Sequence, residues 1–445
     1  MPSDAAVLPD VVEEHLDESE FLIELWLAAA RSPRFNLREI HRTVERRLLA
    51  HLDGLEVGGP SVADGLLWPT LLPDAGAIPS RVAAAASALL MDADGAVRDR
   101  LIEALRAIES PRVRTGLRLA LQITARRDVD EPTRLALYAT GTPVAQAALL
   151  AVLAARRVDP GPILGPLLDS ADSAVLCAAL AAAAAATTTD RGRFRSAIEA
   201  ALSHAVPAVR AAALRTGLIW NIGAAWRACG AQARSGSPDA MLWLALIDPA
   251  NALAPLTAAL ETAERRGALF ALGFTGLRDA VELCLPLLDH PDQAVAGLAV
   301  EAIAGITGLP LYEAPFAVPS GGEGNGDDDD GDGALPPLAD DLRADLQPVA
   351  IDLLPRPAAG AIRDWWGERR GSFAPAARYL RGAPLNAASL QAALTDGPLR
   401  RTGPLACEIA IRSGGRLQLP ALRLAQEKPA VPADLVPLHR PPPWR

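Results

Sequence analysis

Between Pro160 and Leu218 two helical hairpins can be read one after the other in nearly the same register. The first is PGPILGPLLDS followed by DSAVLCAALAAAAA; the second is RFRSAIEAALSH followed by VPAVRAAALRTGL. Each is a short helix, a polar turn and an apolar helix, a unit that buries its hydrophobic face only by stacking on its neighbours. The pattern extends well beyond these two. Apolar helix starts fall at Val82, Val113, Val144, Val175, Val209, Ala240, Ala268 and Val295, with spacings of 31, 31, 31, 34, 31, 28 and 27. From Val113 onward the fourth residue after each start is Leu117, Ala148, Ala179, Ala213, Leu244, Leu272 or Ala299. The seventh is Ala120, Ala151, Ala182, Thr216, Ile247, Thr275 or Ala302, so the spacing predicts one apolar stripe carried from unit to unit.

Between these helices lie partners such as AVRDRLIEALRAI, NALAPLTAALETA and DAVELCLPLLDH. Two helices per unit, a period of roughly 30 residues and no strand signal favour HEAT-like repeats over ankyrin or tetratricopeptide units. Composition agrees, because 50% of residues are hydrophobic but only 4% aromatic, leaving Ala, Leu, Val and Ile to build the core. Ala and Leu are the strongest helix formers among apolar residues. The fold expected is all-α, a HEAT-like α-solenoid of helical hairpins with an N-terminal helical cap and a C-terminal helical subdomain.

The expected organisation is a helical hairpin cap over 1–60, a repeat array over 61–312, an acidic Gly/Asp-rich disordered linker over 313–341, a C-terminal helical segment over 342–430 and a Pro-rich tail over 431–445. In the cap, Val12, Leu16, Ser19, Ile23, Trp26 and Ala30 follow a helical period across Val11 to Arg31. Asn36 and Glu39 read as a capping box that opens a second helix, expected to stop at Asp53-Gly54. In the linker, Ser320 to Asp341 has almost no apolar content. Asp328, Asp330, Asp332 and Gly333 match the opening of a calcium loop, but its twelfth position is Ala339 and Pro336-Pro337 leave no exiting helix, so a solvated acidic tract is the reading. Beyond it, Leu342 to Leu354, Pro357 to Arg370, Tyr379-Leu380, Leu390 to Leu394 and Leu399 to Ile411 are expected to be helical.

A formal charge of −10 argues against a general nucleic-acid binder. The charge is unevenly spread: the first thirty residues hold eight acidic and no basic side chains, whereas Arg356 to Arg445 holds fourteen basic against six acidic. Cys177, Cys229, Cys284 and Cys407 form no CxxC pair and read as reduced core residues. The N-terminus lacks the features of a secretory signal, and Ala174 to Ala186 is too short to span a bilayer, so a cytoplasmic location and no membrane partner are expected.

None of the six histidines lies in an HExxH motif, and no GxSxG, P-loop or dinucleotide fingerprint is present. No catalytic residue, cofactor or metal is therefore assigned. His15, His41 and His51 converge only if the N-terminal hairpin packs suitably, and a metal would need three or four such ligands. The local cluster that stands out is Trp365-Trp366 with Arg369-Arg370. Trp and Arg are enriched in interface hot spots, and adjacent residues on a helix point about 100° apart, so burying one indole turns the other toward a different surface. These four residues are the candidate partner-binding site, with packing of the C-terminal segment as the competing role.

The stretch EEHLDESEFLIELWLAAARSPRFNLREIHRTVERRLLAHLDGLEVGG, with its AHLDGL segment at Ala50 to Leu55, resembles the N-terminal signature of an uncharacterised proteobacterial HEAT-repeat family. The likeness continues through RGALFALGFTG, AIAGITG, the DWW of Asp364 to Trp366 and the RYLRG of Arg378 to Gly382. It implies a repeat fold and a bacterial source, often beside type VI secretion genes, and brings no catalytic residues. The function expected is a non-catalytic protein-binding scaffold or adaptor for a secretion-system component or effector. The alternative is a HEAT-like enzyme or nucleic-acid-acting protein, glycosylase-like or lyase-like, using the concave face.

Overall fold

The computed structural model describes residues 8–72, 76–186, 188–318, 354–419 and 424. The fold is all-α, with 73% of the described residues helical. One row of helices organises it: α1 (Pro9–Ala29), α3 (Pro79–Leu89), α4 (Pro111–Ile123), α5 (Pro143–Arg156), α6 (Ser173–Ala183), α7 (Pro207–Ile219), α8 (Pro238–Ile247), α9 (Arg265–Thr275) and α10 (Gln293–Thr307). Each packs on the next, and between α3 and α10 every successive pair is separated in sequence by a partner helix, for example Gly95–Ala107 between α3 and α4.

 The partner between α8 and α9 is Pro249–Ala259, and the one between α9 and α10 is Arg278–Cys284.

Local chemistry explains where the row helices begin. Pro occupies the first turn of α3, α4, α5, α7 and α8, where its missing N–H costs nothing. Asp172 and Asp292 cap α6 and α10 by accepting backbone N–H bonds from Ala174 and Ala294. The turns before α6, α7 and α10 repeat one device, in which a polar side chain accepts from the N–H two residues on: Ser170 from Asp172, His204 from Val206, and His290 from Asp292. Histidines 204 and 290 are thus turn residues.

The stripe is buried at Val82, Val113, Val175, Val209, Ala240, Ala268 and Val295. Val144 departs from it, being 51% exposed, and Ala151 is only half-buried. In α5 the register is shifted by one residue, so that Ala145, Leu149 and Val152 point inward instead. An even 31-residue step from Val113 overlooked this slip.

At the N-terminus, α1 lies in the row itself, packed on α3, with α2 (Arg46–Val57) beside both. The capping box at Asn36 and Glu39 forms as expected. The helix does not stop at Asp53-Gly54; it runs to Val57, because Leu55 is buried and a helical Gly54 meets the His15 ring rather than a turn. Further helical turns cross residue 60 and continue to Thr70. The acidic side of α1 is docked, with Asp17, Glu20 and Glu13 around Arg81 of α3 and Ser80 donating to Glu24 over 2.7 Å.

After α10 the chain reaches Val318 and resumes at Leu354, and these two ends are tied together. The Val318 N–H donates to the Arg356 carbonyl over 2.9 Å, and the Ala358 N–H to the Phe316 carbonyl over 2.8 Å. The acidic tract, its calcium-like pattern, most of the helix expected over Leu342 to Leu354, and the Pro-rich tail lie outside the described residues. Next come α11 (Ala359–Arg369), a two-residue hairpin of β1 (Tyr379–Leu380) and β2 (Ala383–Pro384), α12 (Ala387–Asp396) and α13 (Leu399–Arg412). The hairpin corrects the helical expectation at Tyr379-Leu380. Arg381 and Gly382 both take positive φ, 51° and 83°, the conformation that a two-residue hairpin turn requires.

From the hairpin onward the chain runs back along the C-terminal ends of the row helices. Arg401 donates to the Gly273 carbonyl of α9, Arg412 to the Leu246 carbonyl of α8, and Gln418 to the Ala184 carbonyl after α6. These are the carbonyls that a helix end leaves without an internal partner. The same segment meets the N-terminus, where the Leu399 N–H donates to the Phe35 carbonyl over 2.8 Å and Arg38 pairs with Asp396. The two ends of the row are therefore brought together.

Candidate functional site

The junction of the two ends holds a cluster of buried charge. Glu301, the one charged residue of α10, pairs with Arg400. Arg401 stands beside them with its guanidinium 4.0 Å from the Phe274 ring centroid and Nη2 2.6 Å from the Gly273 carbonyl. It fits because α9 and α10 present glycines there. A Cβ at Gly305 would lie 2.5 Å from Arg401 Nη2, and one at Gly273 would lie 2.9 Å from Nη1. One atom of each side chain has no hydrogen-bond partner, Glu301 Oε1 and Arg401 Nη1. Burial pushes the Glu301 carboxyl up despite Arg400 and Arg401, and it pulls the Arg401 guanidinium down to about 10 despite Glu301.

A second cluster lies further along α13. Glu408 Oε1 accepts from Arg378 over 2.7 Å and from Arg412 over 2.8 Å. Arg378 also donates to the carbonyls of Phe274 and Thr275, which ties the hairpin segment, α13 and the end of α9 into one unit.

Beside the first cluster is a cavity of about 260 Å³, walled by Pro33 and Arg34 from the N-terminus, Leu309 to Glu313 after α10, Leu380 and Arg381 of the hairpin, and Arg401 of α13. Stretches quoted above from distant parts of the sequence converge on it. GFTG and GITG end α9 and α10 with Gly276 and Gly308 in the left-handed region. The hairpin of RYLRG binds across both ends, Tyr379 N–H to the Gly276 carbonyl, Arg381 N–H to Gly305 and Gly382 N–H to Ile306. A Cβ on Gly308 would lie 2.6 Å from the Arg381 carbonyl oxygen, and its φ of 77° already disfavours a side chain. Gly308→Ala is expected to cost about 2 kcal/mol or more. Gly360→Ala, at a helical site with open space around it, is the control expected to be neutral or slightly stabilising. Urea midpoints of the two variants check this.

The four partner-site residues separate into two pairs. Trp366 is buried, 2% exposed, and its Nε1 donates to Glu282 Oε1 over 3.1 Å. Arg370 pairs with the same carboxylate, so these two dock α11 onto the helix Arg278–Cys284. Trp365 is half-buried, edge-on to Phe316, with the Arg369 guanidinium 5.1 Å from its centroid. Trp365 and Arg369 border an open recess of about 360 Å³ shared with Ser372, Phe373 and Arg381.

Of the N-terminal histidines, His15 and His51 meet, Nδ1 to Nδ1 at 3.0 Å, while His41 bonds Glu45 instead. No group of three or more His, Cys, Asp or Glu suited to a metal occurs among the described residues. Cys229, Cys284 and Cys407 are buried free thiols, and Cys177 is half-buried. No helix among the described residues is long and apolar enough to cross a membrane. Sequence reasoning passed over Glu301, Arg378, Arg401 and Glu408. The available signal was a single carboxylate inside an otherwise apolar helix, as in AVAGLAVEAIAGIT, which demands a buried cation elsewhere in the chain.

Neither a comparison with protein-family models nor one with curated proteins finds a match for this chain.

Proposed function

We propose that the chain is a HEAT-like α-solenoid acting in the cytoplasm as a non-catalytic scaffold or adaptor. Its partner is a protein, a component or effector of a bacterial secretion system. The observation that carries this reading is the outward pair Trp365 and Arg369, stacked on each other at the rim of an open recess. A large amphipathic ring and a guanidinium held in place by their own contact lose little freedom on binding, which is the property of a hot spot. The secretion link comes from the likeness of the N-terminal stretch, and the row of stacked helix pairs supports the repeat class.

Affinity capture of the tagged chain from its source cells, with mass-spectrometric identification, tests the proposal beside a Trp365→Ala/Arg369→Ala variant. The expected result is one stoichiometric protein partner whose affinity falls roughly tenfold or more in the variant, with only a small drop in melting temperature. A partner held equally by both proteins, or nucleic acid recovered in its place, would overturn the reading.

A further inference from the structure

The cavity at the junction carries more positive than negative charge that is not already paired. Of its carboxylates, Asp396 is bound by Arg38 and Glu301 by Arg400 through Oε2, its Oε1 keeping no partner, which leaves Glu313 without an ion pair among the described residues. Of its guanidiniums, Arg34 and Arg381 form no ion pair among the described residues, and Arg401 keeps Nη1 without a partner although the residue is only 4% exposed. Arg34 is held over the Tyr312 ring at 5.4 Å. Leaving a buried guanidinium N–H unmet is costly, and a planar fork of donors is matched best by an oxyanion. Leu309, Leu311 and Leu380 supply apolar wall on the same cavity.

We propose that this cavity binds a small organic oxyanion, a carboxylate or a phosphate monoester, clamped by Arg34, Arg381 and Arg401 with its apolar part against the leucines. The volume, about 260 Å³, suits a small acid and not a nucleotide or peptide. Because the walls come from both ends of the row, a bound anion bridges those ends and stabilises their closure.

Calorimetric titration of the full chain at low ionic strength with succinate, inorganic phosphate and phenyl phosphate tests this, with thermal unfolding as a second readout. Saturable one-site binding is expected for at least one of them. At a hundredfold excess over Kd the unfolding equilibrium constant falls about a hundredfold. Succinate alone identifies a carboxylate site, the two phosphates alone a phosphoryl site, and all three the shared oxyanion chemistry. Arg34→Gln/Arg381→Asn alters two exposed side chains, and Asn tolerates the left-handed φ at 381; it is expected to weaken binding at least tenfold while the unliganded chain melts unchanged. If none of the three binds up to about 10 mM, or if the double variant binds as tightly as the wild type, the proposal fails. The first of those results would mean that Arg401 and Glu301 satisfy each other by rotating together.

Discussion

Glu408→Ala is expected to destabilise the protein by about 3–5 kcal/mol, read as a lower urea midpoint, because it strands two guanidiniums in the interior. Arg378 and Arg412 both converge on Glu408 Oε1, and the three side chains are 11%, 10% and 1% exposed respectively. Arg378 would keep its carbonyl partners on Phe274 and Thr275, so part of its donor capacity survives. What it loses is its countercharge. The damage should be local first, since these contacts fasten the hairpin and α13 to α8 and α9. Limited proteolysis of the variant should release the segment after Phe373 before the row helices are cut.

The same site fixes a sign for pH. Burial alone would raise the Glu408 carboxyl, but Arg378 and Arg412 outweigh it and hold it below its ordinary value. A depressed carboxylate contributes stability that is complete above its unfolded pKa, about 4.3, and lost as pH falls through the folded value. Glu301 acts in the opposite sense, because burial raises its carboxyl. Its contribution is complete below the unfolded value and is lost as pH rises through the folded one. Urea midpoints measured from pH 3 to 7 should therefore be flatter at the acid end for Glu408→Ala than for the wild type.

The row of helices was legible because it is written in a local code. An apolar stripe is decided within a few residues, and its first residues fell within the first turn of every row helix from α3 to α10. The slip at Val144 shows the limit of an even period, since a turn that is one residue longer moves the inward face to Ala145 without changing the composition of either helix. The hairpin at Tyr379-Leu380 was harder to see. Two-residue strands have no periodicity, and this one is held by the ends of α9 and α10, some 70 to 100 residues upstream. The cavity was harder still, because its walls meet only when the row curves enough to bring Arg34 to Tyr312, and curvature is a sum of small offsets between helices that no single stretch encodes. Glu301, on its wall, was the available mark, a charge set where a helix face should be apolar.

Trp366→Ala should cost about 3–5 kcal/mol, whereas Trp365→Ala next to it should cost far less. The two indoles share a helix but not a role. Trp366 fills the interior beside Phe373, whose ring centroid lies 5.3 Å away, and Phe373 in turn packs on Tyr379 at 4.7 Å. Removing the first ring leaves a cavity at one end of this aromatic series and leaves Glu282 with Arg370 as its remaining partner there. Because Tyr379 also carries the hydrogen bond to Gly276, the loss is transmitted to the hairpin and from there to the junction cavity. Trp365 is half-buried against Phe316 and Arg369 at the edge of the core, and truncating it removes less buried area, at the rim of the recess. Thermal denaturation of the two single variants separates the roles: a large drop for Trp366→Ala with a small one for Trp365→Ala assigns the first to packing and leaves the second free to bind. Equal drops would mean that α11 is held by both faces, and that a partner could engage Trp365 only by displacing part of the fold.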